Sequence, residues 1–224
     1  FLIFNSKSAN FSRFFKKNQD FLFNSIQNNA FIGGEELKYK MSYGRQNKKK
    51  GLLLAAYAKL TTQDFILNDT ILTYNLKAVG RTTAFFSLFM KVKHKYESRI
   101  NVKTFKPVEF MMDIKEGKYC KTDYVYYNDD TILNNENVSD ILSTFYLLRT
   151  NSQKKISNTD TLFFSYYYDN CIIPSYLLNL GEEIIETKFG KIKTIKCSPL
   201  LEKGRIFKRE SGAFIWVTAD DMHI

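Results

Sequence analysis

The chain has 224 residues, 44% of them hydrophobic, with 20 Phe, 14 Tyr, 2 His, 1 Trp and a formal net charge of +10. That apolar content is enough for a sizeable core and excludes global disorder, and the length fits a single all-β domain. No apolar run reaches the roughly 18 residues that a membrane-spanning helix needs. The positive charge is dispersed, with scattered lysines and few arginines, so a solvated Lys-rich surface accounts for it and no nucleic-acid partner is expected.

Residues 1–30 are rich in Phe, Asn, Ser and Lys and show no strand alternation. They read as a leader, either a signal-peptide remnant or a poorly ordered segment. Residues 31–224 read as one mainly-β domain, cut short at its C-terminus. Ordered structure is predicted to begin at Gly33-Gly34, followed by a strand with Leu37, Tyr39, Met41 and Tyr43 on one face. Gly44 to Gly51 is a turn, with Lys48-Lys49-Lys50 at its tip, and a strand runs from about Leu52 to Leu60. Strands near 61–67 and 70–79 follow, with Asn68-Asp69 as the turn between them. Thr82 or Thr83 caps a short helix, 84–90, that is apolar nearly all round.

The stretch from Lys91 to Ile100 alternates cleanly. Val92, His94, Tyr96, Ser98 and Ile100 take one face; Lys91, Lys93, Lys95, Glu97 and Arg99 take the other. Val108, Phe110, Met112 and Ile114 point inward from the next strand, and Glu116-Gly117 makes a tight hairpin into 119–127, which Asn128-Asp129-Asp130 ends. The one convincing helix runs from about Ser139, its N-cap, to Arg149, which complements the negative end of the dipole. Val138, Ile141, Leu142, Phe145 and Leu148 form its apolar stripe. Further strands are predicted at about 161–168, 171–178, 183–188, 191–198, 204–209 and 213–218, with turns at Phe189-Gly190 and Ser211-Gly212. Hairpin-linked strands without a βαβ rhythm argue for a strongly curved antiparallel sheet, an open half-barrel of about ten strands wrapping one helix.

Motifs that carry chemistry are scarce. Cys120, Cys171 and Cys197 have no CxxC spacing and read as three small buried hydrophobes. His94 and His223 are the only imidazoles; there is no paired-His or Cys/His cluster, and neither a metal nor a cofactor is expected. No nucleophile elbow or phosphate-binding glycine loop is present. The acid pairs Glu35-Glu36, Asp129-Asp130, Glu182-Glu183 and Asp220-Asp221 read as solvated turn acids, and no catalytic residue is assigned. A sheet lined by Phe, Tyr, Met, Leu and Ile beside a short apolar helix either fills its own interior or encloses an apolar ligand, and the sequence does not separate the two. For the second outcome the candidate ligand-binding residues are Phe85, Phe86, Phe89, Met90, His94 and Tyr96.

Several segments together resemble a family of exported bacterial proteins, domain of unknown function 3108. They are Gly34 to Gly44, Gly80-Arg81-Thr82-Thr83-Ala84-Phe85-Phe86, Lys95-Tyr96-Glu97-Ser98, Asp140 to Arg149, Thr187 to Lys193, and Gly204-Arg205-Ile206-Phe207 through Ile215-Trp216-Val217-Thr218. The resemblance implies a periplasmic or envelope protein of Gram-negative type, with a fold similar to the LolA and LolB lipoprotein carriers. It carries no established activity onto particular residues. Read this way, the protein is a non-enzymatic envelope protein that holds a lipid or other apolar molecule and makes peripheral contact with a membrane. The alternatives are an assembly protein with a filled core that acts through its surface, and an envelope hydrolase. The hydrolase would place His94 within reach of a carboxylate and a hydroxyl in an open cleft.

Overall fold

The computed structural model describes residues 26, 28–43, 53–67, 71–127, 138–151, 161–168, 170–187, 189–200, 214–222 and 224. Most of the leader, the Lys48 to Lys50 tip, the Asn68-Asp69 and Asn128 to Asp130 turns, the 204–209 strand, the Ser211-Gly212 turn and His223 lie outside them. The protein is mainly β, with two open sheets of largely antiparallel strands. The described residues within 32–134 form one compact unit, and those up to 31 and from 135 onward form the other.

The first unit is a six-stranded meander: β1 (Glu36–Tyr43), β2 (Leu53–Leu67), β3 (Ile71–Thr82), β4 (Val92–Asn101), β5 (Pro107–Glu116) and β6 (Tyr119–Tyr126), each paired antiparallel with the next. Sequence led to two strands between 52 and 67, but β2 is continuous. No turn-forming residue interrupts Leu60-Thr61, and β2 keeps both β1 and β3 paired along it. A four-residue helix, α1 (Ala84–Ser87), joins β3 to β4, shorter than the 84–90 predicted. Gly117 turns the β5–β6 hairpin with a φ of 62°, a left-handed conformation that costs glycine little.

Strand register sorts this sheet's side chains into two faces. Thr62, Leu76, Ser98, Phe110 and Val125 align in one row across β2 to β6, and all are buried. Met112 and Ile114 continue the buried face along β5. The opposite face carries cross-strand ion pairs: Lys59 with Glu36, Lys77 with Glu97, and Arg99 with Glu109. Such exposed pairs contribute little each, but they give the alternating pattern its wet side.

The second unit holds a five-stranded sheet in the order β11-β10-β9-β8-β7. Its strands are β7 (Val138–Asp140), β8 (Thr161–Tyr168), β9 (Cys171–Thr187), β10 (Gly190–Pro199) and β11 (Ile215–Thr218), and the helix α2 (Ile141–Asn151) follows β7. β7 and β8 pair in parallel, an arrangement the predicted hairpins lacked. At three residues β7 is too short to show any periodicity. β9 likewise replaces two predicted strands; Gly181, with a φ of 97°, lets it continue through the expected break.

α2 begins one residue later than predicted, and its N-cap is Asp140, not Ser139. The Asp140 carboxylate accepts from the backbone N–H groups of Leu142 and Ser143, both at 2.8 Å, while the Ser143 hydroxyl accepts from the Asp140 N–H at 3.0 Å. This reciprocal capping box leaves Ser139 in the strand. The helix also buries a different stripe from the one predicted. Leu142, Tyr146 and Leu147 are buried, Ile141 is 39% exposed, and Phe145 and Leu148 are half-buried.

Arg149 does more than complement the dipole. It is 3% exposed; its Nη2 donates to the carbonyls of Ala30 at 2.9 Å and Met222 at 3.1 Å, and its guanidinium lies over the rings of Phe31 and Tyr146. The cysteines correct a further expectation. Cys197 is buried, and burial pushes its thiol up to about 11, but Cys120 and Cys171 are exposed; none is bridged.

Candidate functional site

Of the predicted ligand residues, the structure puts His94 and Tyr96 on the inner side of the six-stranded sheet, half-buries Phe86 against Tyr43, and leaves Phe85, Phe89 and Met90 exposed. His94 and Tyr96 lie two apart on β4, on the face that Ser98 and Ile100 bury. Glu116, the last residue of β5, pairs across the sheet with Val92 and so shares that face. The three side chains form a relay: His94 Nε2 lies 3.1 Å from Glu116 Oε1, and the Tyr96 hydroxyl lies 3.3 Å from His94 Nδ1.

The proton positions follow from the environment. The His94 and Glu116 side chains are 15% and 8% exposed. Burial lowers the His94 pKa, outweighing the Glu116 carboxylate that raises it, so the ring is neutral near neutral pH. A neutral ring with a carboxylate at Nε2 and a hydroxyl at Nδ1 donates Nε2–H to Glu116 and accepts from Tyr96. The carboxylate and hydroxyl are thus both within reach of His94, as the hydrolase alternative requires, but the ring is largely covered.

This arrangement makes a pH prediction. The folded ring binds its proton less readily than the unfolded one, whose ordinary value is 6.5. The stability it contributes is therefore complete above about pH 6.5 and lost as pH falls through the lower folded value. Urea midpoints are expected to drop between about pH 7.5 and pH 5, and His94→Gln is expected to reduce that drop. An equal drop in both proteins would count against this assignment.

Beside the relay the inner face changes character. Toward Phe110 it is buried; toward α1 it is half-open. Register places Ala58 beside Gly80, Gly80 beside His94, and Ala78 beside Tyr96. With Ala56, these small side chains form a contiguous floor on β2 and β3, edged by Tyr39 and Met41 of β1. A Cβ built on Gly80 would meet nothing nearer than the Tyr57 carbonyl oxygen at 3.9 Å, so the floor has room above it. Phe86 sits at the end of this floor, its ring edge-on to Tyr43 at 6.2 Å.

α1 is not held as a capped helix. The Thr83 hydroxyl donates to the Leu54 carbonyl, and the Thr82 hydroxyl pairs with Ser87 and accepts from the Val92 N–H, so neither performs the predicted cap. No residue of α1 is buried. Sequence reasoning missed Glu116 and the small-residue floor; both follow from strand register, which a single-strand alternation pattern does not give.

A separate pocket of about 200 Å³ lies on the sheet's wet face, lined by Asn75, Glu97, Arg99, Glu109, Met111 and Tyr124. Its polar groups engage one another: Arg99 pairs with Glu109 at 2.6 Å, and the Tyr124 hydroxyl donates to Glu109 at 2.8 Å. Hydrogen bonding with Tyr126, then burial and Glu109, raises the Tyr124 pKa. Among the described residues the remaining acid pairs are not clustered, and Asp129-Asp130 lies outside them. Glu182 and Glu183 lie inside β9 and pair with Lys193 and Lys196, and Asp220 accepts from Thr218 and the Met222 N–H. Among the described residues no three His, Cys, Asp or Glu side chains gather as a metal site would require, and no helix is long and apolar enough to cross a membrane.

No curated protein and no solved structure matches the chain. Residues 38–224, which span both sheets, match the family model described as protein of unknown function DUF3108, and the chain belongs to that family.

Proposed function

We propose that this is a non-enzymatic, exported protein of the cell envelope that holds an apolar molecule, a lipid or a compound of similar character, on the half-open inner face of its six-stranded sheet. The observation that carries this reading is the floor of Ala56, Ala58, Ala78 and Gly80 next to a face that is otherwise closed by large side chains. A packed core fills such space with bulky residues. Here, small residues edged by Tyr39, Met41 and Phe86 leave a shallow apolar bed instead, with the Tyr96–His94–Glu116 relay as its polar end. Apolar sites with a few convergent polar groups suit amphipathic ligands.

The test is native mass spectrometry on protein exported by a Gram-negative host, together with titration of a naphthylamine-type fluorescent lipid probe. A lipid-sized adduct and probe binding are expected. Gly80→Phe, which fills the space over the floor, is expected to weaken probe binding about tenfold and to leave the urea midpoint near wild type. A clean apo mass with no probe binding, or unchanged affinity in Gly80→Phe, would overturn the reading in favour of a protein that acts through its surface.

The relay favours a second reading, acid–base chemistry on an envelope ester with His94 as base. Ester turnover that is abolished by both His94→Gln and Glu116→Gln would establish it; absence of turnover in the wild type would dismiss it.

A further inference from the structure

The outward side of the β3–β4 connection combines two features. The first is apolar. Leu88 is 81% exposed, Phe89 77%, Phe85 55% and Met90 42%, all within six residues. Phe85 packs edge-on against Phe86 and Phe89, each at 5.6 Å, so the rings brace one another without a core beneath them. A contiguous apolar patch of this kind marks a surface that is covered in use.

The second feature is electrostatic. On the wet face, register aligns Lys40 of β1, Arg81 of β3, Lys93 of β4 and Lys115 of β5 in one transverse row with Tyr57 and Cys120, and the row contains no carboxylate. The row lies at the α1 end of the sheet, since Arg81 ends β3 and Lys93 begins β4. The β5–β6 turn closes onto the same end through the Gly117 N–H donating to the Lys91 carbonyl at 2.8 Å, which adds exposed Lys91 and Lys118. The acids of this face lie further along the sheet: Asp113, one row away, pairs with Lys115 at 3.4 Å, and Glu36 and Glu97, two rows away, pair with lysines outside this row, so Arg81 and Lys93 have no carboxylate beside them in it. Cations therefore collect where the apolar side chains protrude.

We infer that this edge docks onto an anionic lipid bilayer, with Leu88, Phe89, Phe85 and Met90 entering the acyl boundary and Arg81, Lys91, Lys93 and Lys118 meeting lipid headgroups. Apolar side chains ringed by basic ones suit an interfacial binding surface, in which buried apolar area and attraction to anionic lipid add. A nucleic acid would also meet the cations, but it offers nothing to cover aliphatic Leu88 and Met90. The inference rests on the ligand-binding reading in one respect: a carrier of apolar molecules collects or delivers them at a lipid surface, and this edge borders the half-open floor at Phe86.

The test is cosedimentation with vesicles, one set containing one-third phosphatidylglycerol in phosphatidylethanolamine and a second set of phosphatidylcholine alone. Wild type is expected to bind the anionic vesicles and to release as salt rises. The double variant Phe85→Asp/Phe89→Asp is expected to weaken that binding at least about tenfold with an unchanged urea midpoint, because neither side chain is buried. Arg81→Glu/Lys93→Glu is expected to remove the preference for anionic over neutral vesicles. Absence of vesicle binding by the wild type, indifference to both variants, or binding to an oligonucleotide in place of vesicles would overturn the inference. The two readings separate cleanly. Lost vesicle binding with intact binding of the lipid probe sinks only the docking edge, and the reverse sinks only the ligand floor.

Discussion

Arg149→Ala is expected to destabilise the five-stranded unit by about 3–5 kcal/mol. The guanidinium is buried on α2 and serves two backbone carbonyls distant in sequence, those of Ala30 and Met222. Removing it leaves the buried Ala30 carbonyl and the part-buried Met222 carbonyl without that donor and strips a cation from the faces of Phe31 and Tyr146. Arg149→Lys is expected to recover only part of the loss, because a single ammonium lacks the planar fork that reaches both carbonyls. Urea unfolding followed by fluorescence of Trp216 provides the measurement. It is the chain's one tryptophan, and it lies on β11 of the same unit, where its indole donates to Glu183 at 3.0 Å. A loss below about 1 kcal/mol would mean that the guanidinium is held in place without holding anything itself.

In the six-stranded unit the largest effect is expected from Phe110→Ala, about 3–5 kcal/mol. Phe110 is 2% exposed, lies between Ser98 and Val125 in register, and stacks on Tyr96 with ring centroids 6.3 Å apart. Truncation removes a large apolar surface from mid-sheet, where strands on both sides limit collapse into the void. Hydrogen exchange of the β4, β5 and β6 amides against denaturant reads the change. Phe89→Ala, by contrast, is expected to leave these amides unchanged, since that ring is 77% exposed. Equal effects at the two positions would contradict the division of aromatics into core and surface.

The parts of the fold legible in the sequence were those that local chemistry determines. β4 alternates because each of its residues faces either the core or water, and the β5–β6 hairpin follows from Gly117 and the inward run Phe110, Met112, Ile114. Where two adjacent residues offered the same chemistry, the reading slipped. Ser139 and Asp140 are both good caps, and only the exchange of bonds between Asp140 and Ser143 decides between them. Features fixed by distant partners were not legible at all. Arg149 looks like any basic residue at a helix end until Ala30 and Met222 are brought to it. His94 and Tyr96 share a face at a spacing of two, whereas Glu116 joins them only once the β4–β5 register is known. The candidate ligand residues were half legible for the same reason. Aromatic content located the β3–β4 connection, but which rings turn inward depends on a bed of alanines and a glycine that carries no sequence signal of its own.

The unit that Arg149 braces is discontinuous along the chain, and this has a consequence during synthesis. Ala30 leaves the ribosome 119 residues ahead of the arginine that will hold its carbonyl. At about 5–20 residues per second the delay is roughly 6–24 s. Within that interval the whole intervening meander emerges, and each of its strands pairs with its immediate predecessor, a local topology of the kind that folds fast. The inserted sheet can therefore be complete while the segment before it still waits, and the Ala30-Phe31 stretch, both residues buried in the finished unit, spends those seconds uncovered. A nascent chain stalled before residue 149 is thus expected to protect the β3–β4 amides while leaving Phe31 accessible.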